Sequence, residues 1–119
     1  MRSICVVTAT RAEYGLLRPV VQKLAASADL QLRLVVTGAH LCPRLGQTVT
    51  EIEKDGFAID ARLPIFTDDA AEPVAQTIAR TLTVFDKYFA QSAPDCLLVL
   101  GDRFEIFAVA TAAAARHIP

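Results

Sequence analysis

Leu97-Leu98-Val99-Leu100-Gly101-Asp102-Arg103 decides how the rest of the chain is read. Four apolar residues run into a glycine, an acid and a guanidinium, and a helix-like stretch begins at once. A short continuous apolar run of this kind reads as a strand buried in a parallel sheet. Gly101 permits a sharp exit where the strand ends. In open α/β sheets the carboxyl ends of the strands form the edge that takes ligands. Asp102 and Arg103 therefore stand where chemistry is expected.

The amino-terminal stretch has the same layout. Ile4-Cys5-Val6-Val7 leads into Thr8-Ala9-Thr10-Arg11-Ala12-Glu13-Tyr14-Gly15. Two such edges, each ending in an arginine, put two cations beside one crevice and point to an anionic ligand, phosphate first. Between them the chain alternates. Residues 3–9 read as a strand. Residues 12–26 read as a helix with Leu16, Leu17, Val20, Val21 and Leu24 on its apolar face, and Pro19 either kinks it or starts its regular part. A strand at 31–37 follows, then a polar loop through 43–46 and a short helix near 48–55 capped by Thr48 or Thr50. Residues 57–63 alternate as an edge strand. An acidic loop at 67–72 leads through Pro73 into a helix with Val74, Ile78, Leu82, Phe85 and Phe89 on one face. A strand at 96–100 and a helix at 103–116 complete the order. This alternation predicts an α/β fold, a Rossmann-like parallel sheet with helices on both faces.

Composition sets bounds on partners. The 119 residues make one small domain, and 53% hydrophobic content is enough for a core. A net charge of −1 gives no global field for nucleic acid or an anionic membrane, so any anion site is local. No apolar run reaches the roughly 18 residues of a membrane span. The amino-terminal apolar run ends by Val7, short of a secretion signal's core. Cys5, Cys42 and Cys96 show no zinc spacing and read as small apolar residues in a reducing cytosol. The chain stops at Arg116-His117-Ile118-Pro119, where another strand is due. It is therefore expected to be the front part of a longer protein, with oligomerisation as the other way to cover the sheet.

Each candidate residue has a plain alternative. Arg11 reads as a phosphate clamp helped by free N–H groups at the helix start, or as a solvated arginine paired with Glu13. Gly15 leaves room for a ligand to approach the backbone. Asp102 reads as a general acid or base, or as the orienter of a sugar hydroxyl, but spacing alone favours a helix N-cap. Arg103 neutralises a pyrophosphate or pairs with Glu105 or Asp102. His40 donates to a ligand or transfers a proton, against the commoner role of a solvated or hydrogen-bonded loop histidine. Asp68, Asp69 and Glu72 fit a solvated loop better than a cation site. There is no G-x-G-x-x-G and no Walker A pattern.

Three segments resemble one family in order and at its separations: TATRAEYGLLRPV (8–20), VVTGAHLCPRLGQTVTEIEKDGF (35–57) and LLVLGDRFEIFAVATAAAARHIP (97–119). Together they are similar to the hydrolysing UDP-N-acetylglucosamine 2-epimerases of sialic-acid biosynthesis; residues 60–95 carry no motif. The resemblance implies a cytoplasmic enzyme of glycosyltransferase-B type, with two Rossmann-like domains and the active site in the cleft between them. This chain would be part of the first domain, with the second absent from it. The implied reaction turns UDP-N-acetylglucosamine and water into N-acetylmannosamine and UDP through a glucal, with no nicotinamide or metal. By position, Arg11, Gly15 and Arg103 would contact UDP, Asp102 would be one of the catalytic carboxylates, and His40 would lie in a loop lining the cleft. Further carboxylates and most of the uridine pocket would lie beyond Pro119, so this piece would turn substrate over poorly or not at all. The rivals are the non-hydrolysing epimerase and a non-catalytic nucleotide-sugar-binding module. A flavodoxin-like or response-regulator-like domain is disfavoured, because the first strand does not end in an acidic cluster or a phosphate loop.

Overall fold

Cys5 and Val7 point to one side of the first strand and Val6 to the other, and that alternation sorts the whole core. The computed structural model describes all of Met1–Pro119. Strand β1 (Arg2–Thr8) is followed by α1 (Arg11–Ala25), β2 (Leu30–Thr37), two 3-10 turns (Gly38–Leu41 and Pro43–Leu45) and α2 (Val49–Lys54). Then come β3 (Ile59–Leu63), α3 (Val74–Gln91), β4 (Cys96–Leu98) and α4 (Phe104–Ala115). The four strands form one sheet in the order β3-β2-β1-β4, and every pairing is parallel.

Helices cover both faces. Val6, Leu34 and Val36 of the sheet meet Tyr14, Leu17 and Val21 of α1 and Val49 and Ile52 of α2. Cys5, Val7 and Val35 meet Phe85 and Phe89 of α3 and Val109, Ala112 and Ala113 of α4 on the other side. The alanines let α4 lie close to its neighbours. The α/β Rossmann-like reading therefore holds, and β3 is the edge strand expected.

Several local expectations needed adjustment. Helix α1 runs unbroken through Pro19, so the proline does not start its regular part. Leu16 (71% exposed) and Val20 (40%) lie off the buried face, which Glu13 and Tyr14 occupy with Leu17 and Val21. In α3 the buried line is Thr77, Thr81, Phe85 and Phe89, while Val74 is half exposed. Threonine can line a core face here because Thr81 Oγ donates to the Thr77 carbonyl at 2.7 Å and Thr77 Oγ to Glu72 at 2.7 Å. Strand β4 is half-buried rather than buried. Its outer side has no strand neighbour, and the one backbone partner there is the Pro119 carbonyl, 2.7 Å from Leu97 N. Glu72 is taken up by a bidentate pair with Arg80 (2.6 and 2.8 Å), in keeping with a loop that leads a helix rather than a cation site.

No helix is long and apolar enough to cross a membrane, and no cluster of His, Cys, Asp or Glu side chains is arranged to hold a metal ion. All three cysteines are free.

Candidate functional site

The chain crosses from one face of the sheet to the other between β1 and β4, and in such folds the crevice at that crossing is the binding position. The two turns there touch. Gly101 turns with φ of +107°, and a Cβ built on it would lie 3.5 Å from Glu13 Oε1. The Thr8–Arg11 turn and the Gly101–Arg103 turn thus meet at one edge, with Glu13 between them.

Glu13 is buried, and its work is local. Its Oε2 accepts from Ala9 N (3.0 Å) and Thr10 N (3.3 Å), while Thr10 Oγ accepts from Glu13 N (3.3 Å). This is a complete capping box, readable in the sequence as Thr10-Arg11-Ala12-Glu13. It corrects the expectation of a generally open helix start, since only the Arg11 and Ala12 N–H groups of the first turn remain without a protein acceptor. Glu13 Oε1 has no partner. Burial pushes the carboxyl above its usual range, against the two backbone donors that favour its ionised form.

The start of α4 is the more open of the two. Arg103 occupies the N-cap position, and its side chain makes no cap bond. Asp102, expected as the cap, lies outside the helix, exposed and without a hydrogen-bond partner. Arg103 Nε donates to both oxygens of Glu105, at 3.2 and 3.1 Å, with its guanidinium over the Phe104 ring at 5.6 Å. Glu105 is fully buried while Arg103 is about half exposed. Through Nε the buried acid anchors the guanidinium, and its two terminal nitrogens make no hydrogen bond within the protein. The order of residues along the chain hides this: a first-turn Glu in an apolar helix looks like surface, and only the fold shows that it is inside.

Arg11 is exposed and pairs with Glu51 of α2 at 3.2 Å, not with Glu13. With Gly15 and Tyr14 it lines an open groove between α1 and α2, and the floor above Gly15 is clear of other atoms. Arg18 pairs with Asp55 in the same groove at 3.1 Å. Arg103 does not line this groove.

His40 is placed differently from a cleft-lining residue. It is fully buried on the turn after β2. One ring nitrogen is 2.9 Å from Thr8 Oγ and the other 2.8 Å from Thr48 Oγ. The ring also meets Tyr14 edge-on. Thr48, expected to cap α2, spends its hydroxyl on the histidine and makes no cap bond. His40 thus ties β1, the turn after β2 and α2 together, and neither nitrogen is free for a ligand.

Burial lowers the His40 pKa from 6.5 to about 4. The unfolded chain takes up this proton first as pH falls, so stability should decline between pH 6.5 and about 4, by at most about 3 kcal/mol. Glu13 acts in the opposite sense: its contribution is present below the ordinary Glu value and lost as pH rises through the raised one. Urea denaturation across this range should therefore show a flatter pH profile for His40→Gln than for the parent. Parallel profiles would mean that His40 does not titrate with folding.

A second cavity, of about 240 Å³, opens between the turn after β2 and the segment after β3. Cys42, Pro43, Arg44, Ile65 and Phe66 wall it. Nothing in the sequence marked it, because its walls come from two loops more than twenty positions apart.

Comparison with known proteins agrees with this layout. A UDP-N-acetylglucosamine 2-epimerase from Neisseria meningitidis, solved bound to UDP-GlcNAc, superposes with a TM-score of 0.78 at 24% identity, over 100% of this chain and 31% of that one. A UDP-N,N'-diacetylbacillosamine 2-epimerase (hydrolyzing) of Legionella pneumophila is 42% identical over 100% of this chain and 32% of its own length. A GDP/UDP-N,N'-diacetylbacillosamine 2-epimerase (hydrolyzing) of Campylobacter jejuni is 39% identical over 99% of this chain and 31% of its own. The chain thus spans about a third of the length of the curated relatives it matches. The family profile described as UDP-N-acetylglucosamine 2-epimerase matches residues 22–119. A parallel sheet in Rossmann order, two meeting β–α turns at its crossing point and a sequence match over most of the length lead to one conclusion: the chain belongs to the UDP-N-acetylglucosamine 2-epimerase family.

Proposed function

We propose that this chain is the amino-terminal, UDP-sugar-binding part of a cytoplasmic hydrolysing 2-epimerase of glycosyltransferase-B type. The observation that carries the reading is the meeting of the Thr8–Arg11 and Gly101–Arg103 turns at the sheet crossing. In this reading the diphosphate lies across the uncapped start of α4, against the two terminal nitrogens of Arg103, with Arg11 closing from the other side. Gly15 leaves space for the nucleotide along α1. The hydrolysing branch is favoured by the names of the relatives about 40% identical. The non-hydrolysing epimerase would instead release a UDP-linked product.

The chemistry asks for these residues. A base removes the proton at C2 of the sugar, the C1–O bond to UDP breaks, and a 2-acetamidoglucal forms. Water then adds, hydroxyl to C1 and proton to C2 from the opposite face. Negative charge grows on the departing UDP, and Arg103 with the free N–H groups of α4 stabilises it there. Asp102, exposed and unpaired at the mouth of the crevice, is placed to act as one of the proton-transfer carboxylates. His40 serves as a positioning residue for the turns. The remaining groups belong to a second domain, so this piece binds UDP weakly and turns substrate over little. The whole enzyme is expected to be a homo-oligomer.

Calorimetric titration with UDP tests the reading. Arg11→Ala should weaken binding by about 1.5–3 kcal/mol if its guanidinium grips a phosphate. Glu51→Gln should strengthen binding by up to about fivefold, because an exposed pair of this kind holds Arg11 by no more than about 1 kcal/mol. No difference between Arg11→Ala and the parent would remove Arg11 from the site, and no UDP binding at all would defeat the reading.

A further inference from the structure

The capping box at the start of α1 uses only half of the Glu13 carboxyl. Oε2 accepts from Ala9 N at 3.0 Å and from Thr10 N at 3.3 Å. Oε1 is buried beside the Gly101 turn and has no partner. A glutamine would serve the same box, because its carboxamide oxygen accepts the same two bonds. The acid therefore brings something the cap does not need: a proton that can come and go where the two turns meet.

Two acids share one cation there. Glu13 is 6% exposed and Glu105 is fully buried, and the charge of Arg103 acts on both. Glu105 already has its donor, since Arg103 Nε reaches both of its oxygens. Glu13 Oε1 has none, and a buried ionised oxygen without a donor is unfavourable. With both acids ionised the three groups carry a net negative charge, which repels a diphosphate from the place where the proposed reading puts it. With a proton on Glu13 they balance. The other charged groups nearby do not change this. His40, on the turn after β2, is neutral above about pH 4 and has both ring nitrogens engaged. Arg11, on the same helix as Glu13, is exposed and paired with Glu51 of α2, so it supplies no buried counter-charge. Asp102, exposed on the Gly101 turn, adds to the negative side when ionised.

We infer that Glu13 is a positioning residue for the bound diphosphate: it carries a proton on Oε1 in the liganded state, so that Glu105 is the one anion on Arg103 and the guanidinium keeps its charge for the phosphates. The inference rests on the UDP-sugar reading above. Burial favours the neutral acid, the Ala9 and Thr10 donors oppose it, Glu105 favours it and Arg103 opposes it, with the balance toward the proton. An arriving diphosphate adds negative charge and moves that balance further in the same direction. Binding therefore draws a proton in, and it weakens as pH rises through the raised Glu13 value.

Calorimetric titration in two buffers of different ionisation enthalpy counts the protons taken up. The probe is UDP esterified with methanol on its terminal phosphate, because free UDP itself titrates near about pH 6. From about pH 5 to about pH 8 the parent should take up a growing fraction of about one proton, and its affinity should fall, at the limit by about tenfold per pH unit. Glu13→Gln keeps the cap and should lack this uptake, with an affinity that stays level and exceeds the parent's at the alkaline end. A Glu13 that served the fold alone would give both proteins the same proton count. The carboxyl-carbon NMR shift of Glu13 reads the parent directly should the variant misfold, and it should report a neutral acid in the complex. Binding with equal proton counts in the two proteins, or an ionised Glu13 in the complex, overturns the inference and leaves the UDP reading standing. If neither protein binds the ester at any pH, the UDP reading fails and the inference falls with it.

Discussion

Arg103→Ala should lose both UDP binding and stability. Glu105 is fully buried, and the Arg103 Nε is its hydrogen-bond partner. Removing that partner strands a buried carboxylate. Loss of one member of a buried pair costs about 3–5 kcal/mol, and half exposure of Arg103 reduces this to about 2–3. A 119-residue domain holds only about 5–15 kcal/mol in all, so the loss is large. Urea denaturation of three proteins reads it: the parent, Arg103→Ala, and Arg103→Ala combined with Glu105→Gln. The double variant should recover most of the lost stability, because a neutral amide of the same shape removes the stranded charge, while UDP binding stays lost. If Arg103→Ala alone is as stable as the parent, Glu105 is not held by this arginine. If the double variant regains UDP affinity, Arg103 is not a phosphate ligand.

Gly38→Ala should be the most damaging one-carbon change in the molecule. Gly38 sits at φ of +60°, a conformation that disfavours any L side chain by about 1–2 kcal/mol. The added carbon would also press on the Ala9 backbone at 2.9 Å and the Ala9 side chain at 3.0 Å. That neighbour is main chain at the end of β1 and cannot swing aside, so overpacking adds about 1–3 kcal/mol. A total near 2–5 kcal/mol is expected by denaturation. The displaced segment is the one that carries Thr10 and Arg11, so UDP affinity should fall with it. Gly15→Ala is the control, since a Cβ there meets nothing; helix propensity alone would make it neutral or slightly stabilising. Equal stability of the two variants would refute the contact.

The contrast between these glycines shows what could be read in advance. Strand and helix order followed from apolar runs and periodicity, because both faces of a parallel sheet must be covered and the pattern repeats locally. Arg11, Asp102 and Arg103 stood out because the ends of parallel strands are predictable from order alone. The points that only the fold decides share one cause. Whether Asp102 or Arg103 caps α4, whether Glu105 is inside, and whether His40 is offered to a ligand depend on which distant residues pack beside them. Thr8 and Thr48 hold His40, yet neither looks connected to it along the chain. The face of α1 was shifted by Glu13, whose burial is explained by a capping box that four consecutive letters do spell. The cavity beside Phe66 had no such local trace.

The passage of α1 through Pro19 has a mechanical consequence. A proline cannot donate, so the Gly15 carbonyl four residues earlier lacks its usual rung in the ladder. Above that gap the helix is clamped to the sheet by Leu17 and Val21; below it the opening turn is fastened to β1 by Thr10 and Glu13. The opening turn therefore keeps its place through the capping box and the buried Tyr14 ring rather than through an unbroken ladder along the helix.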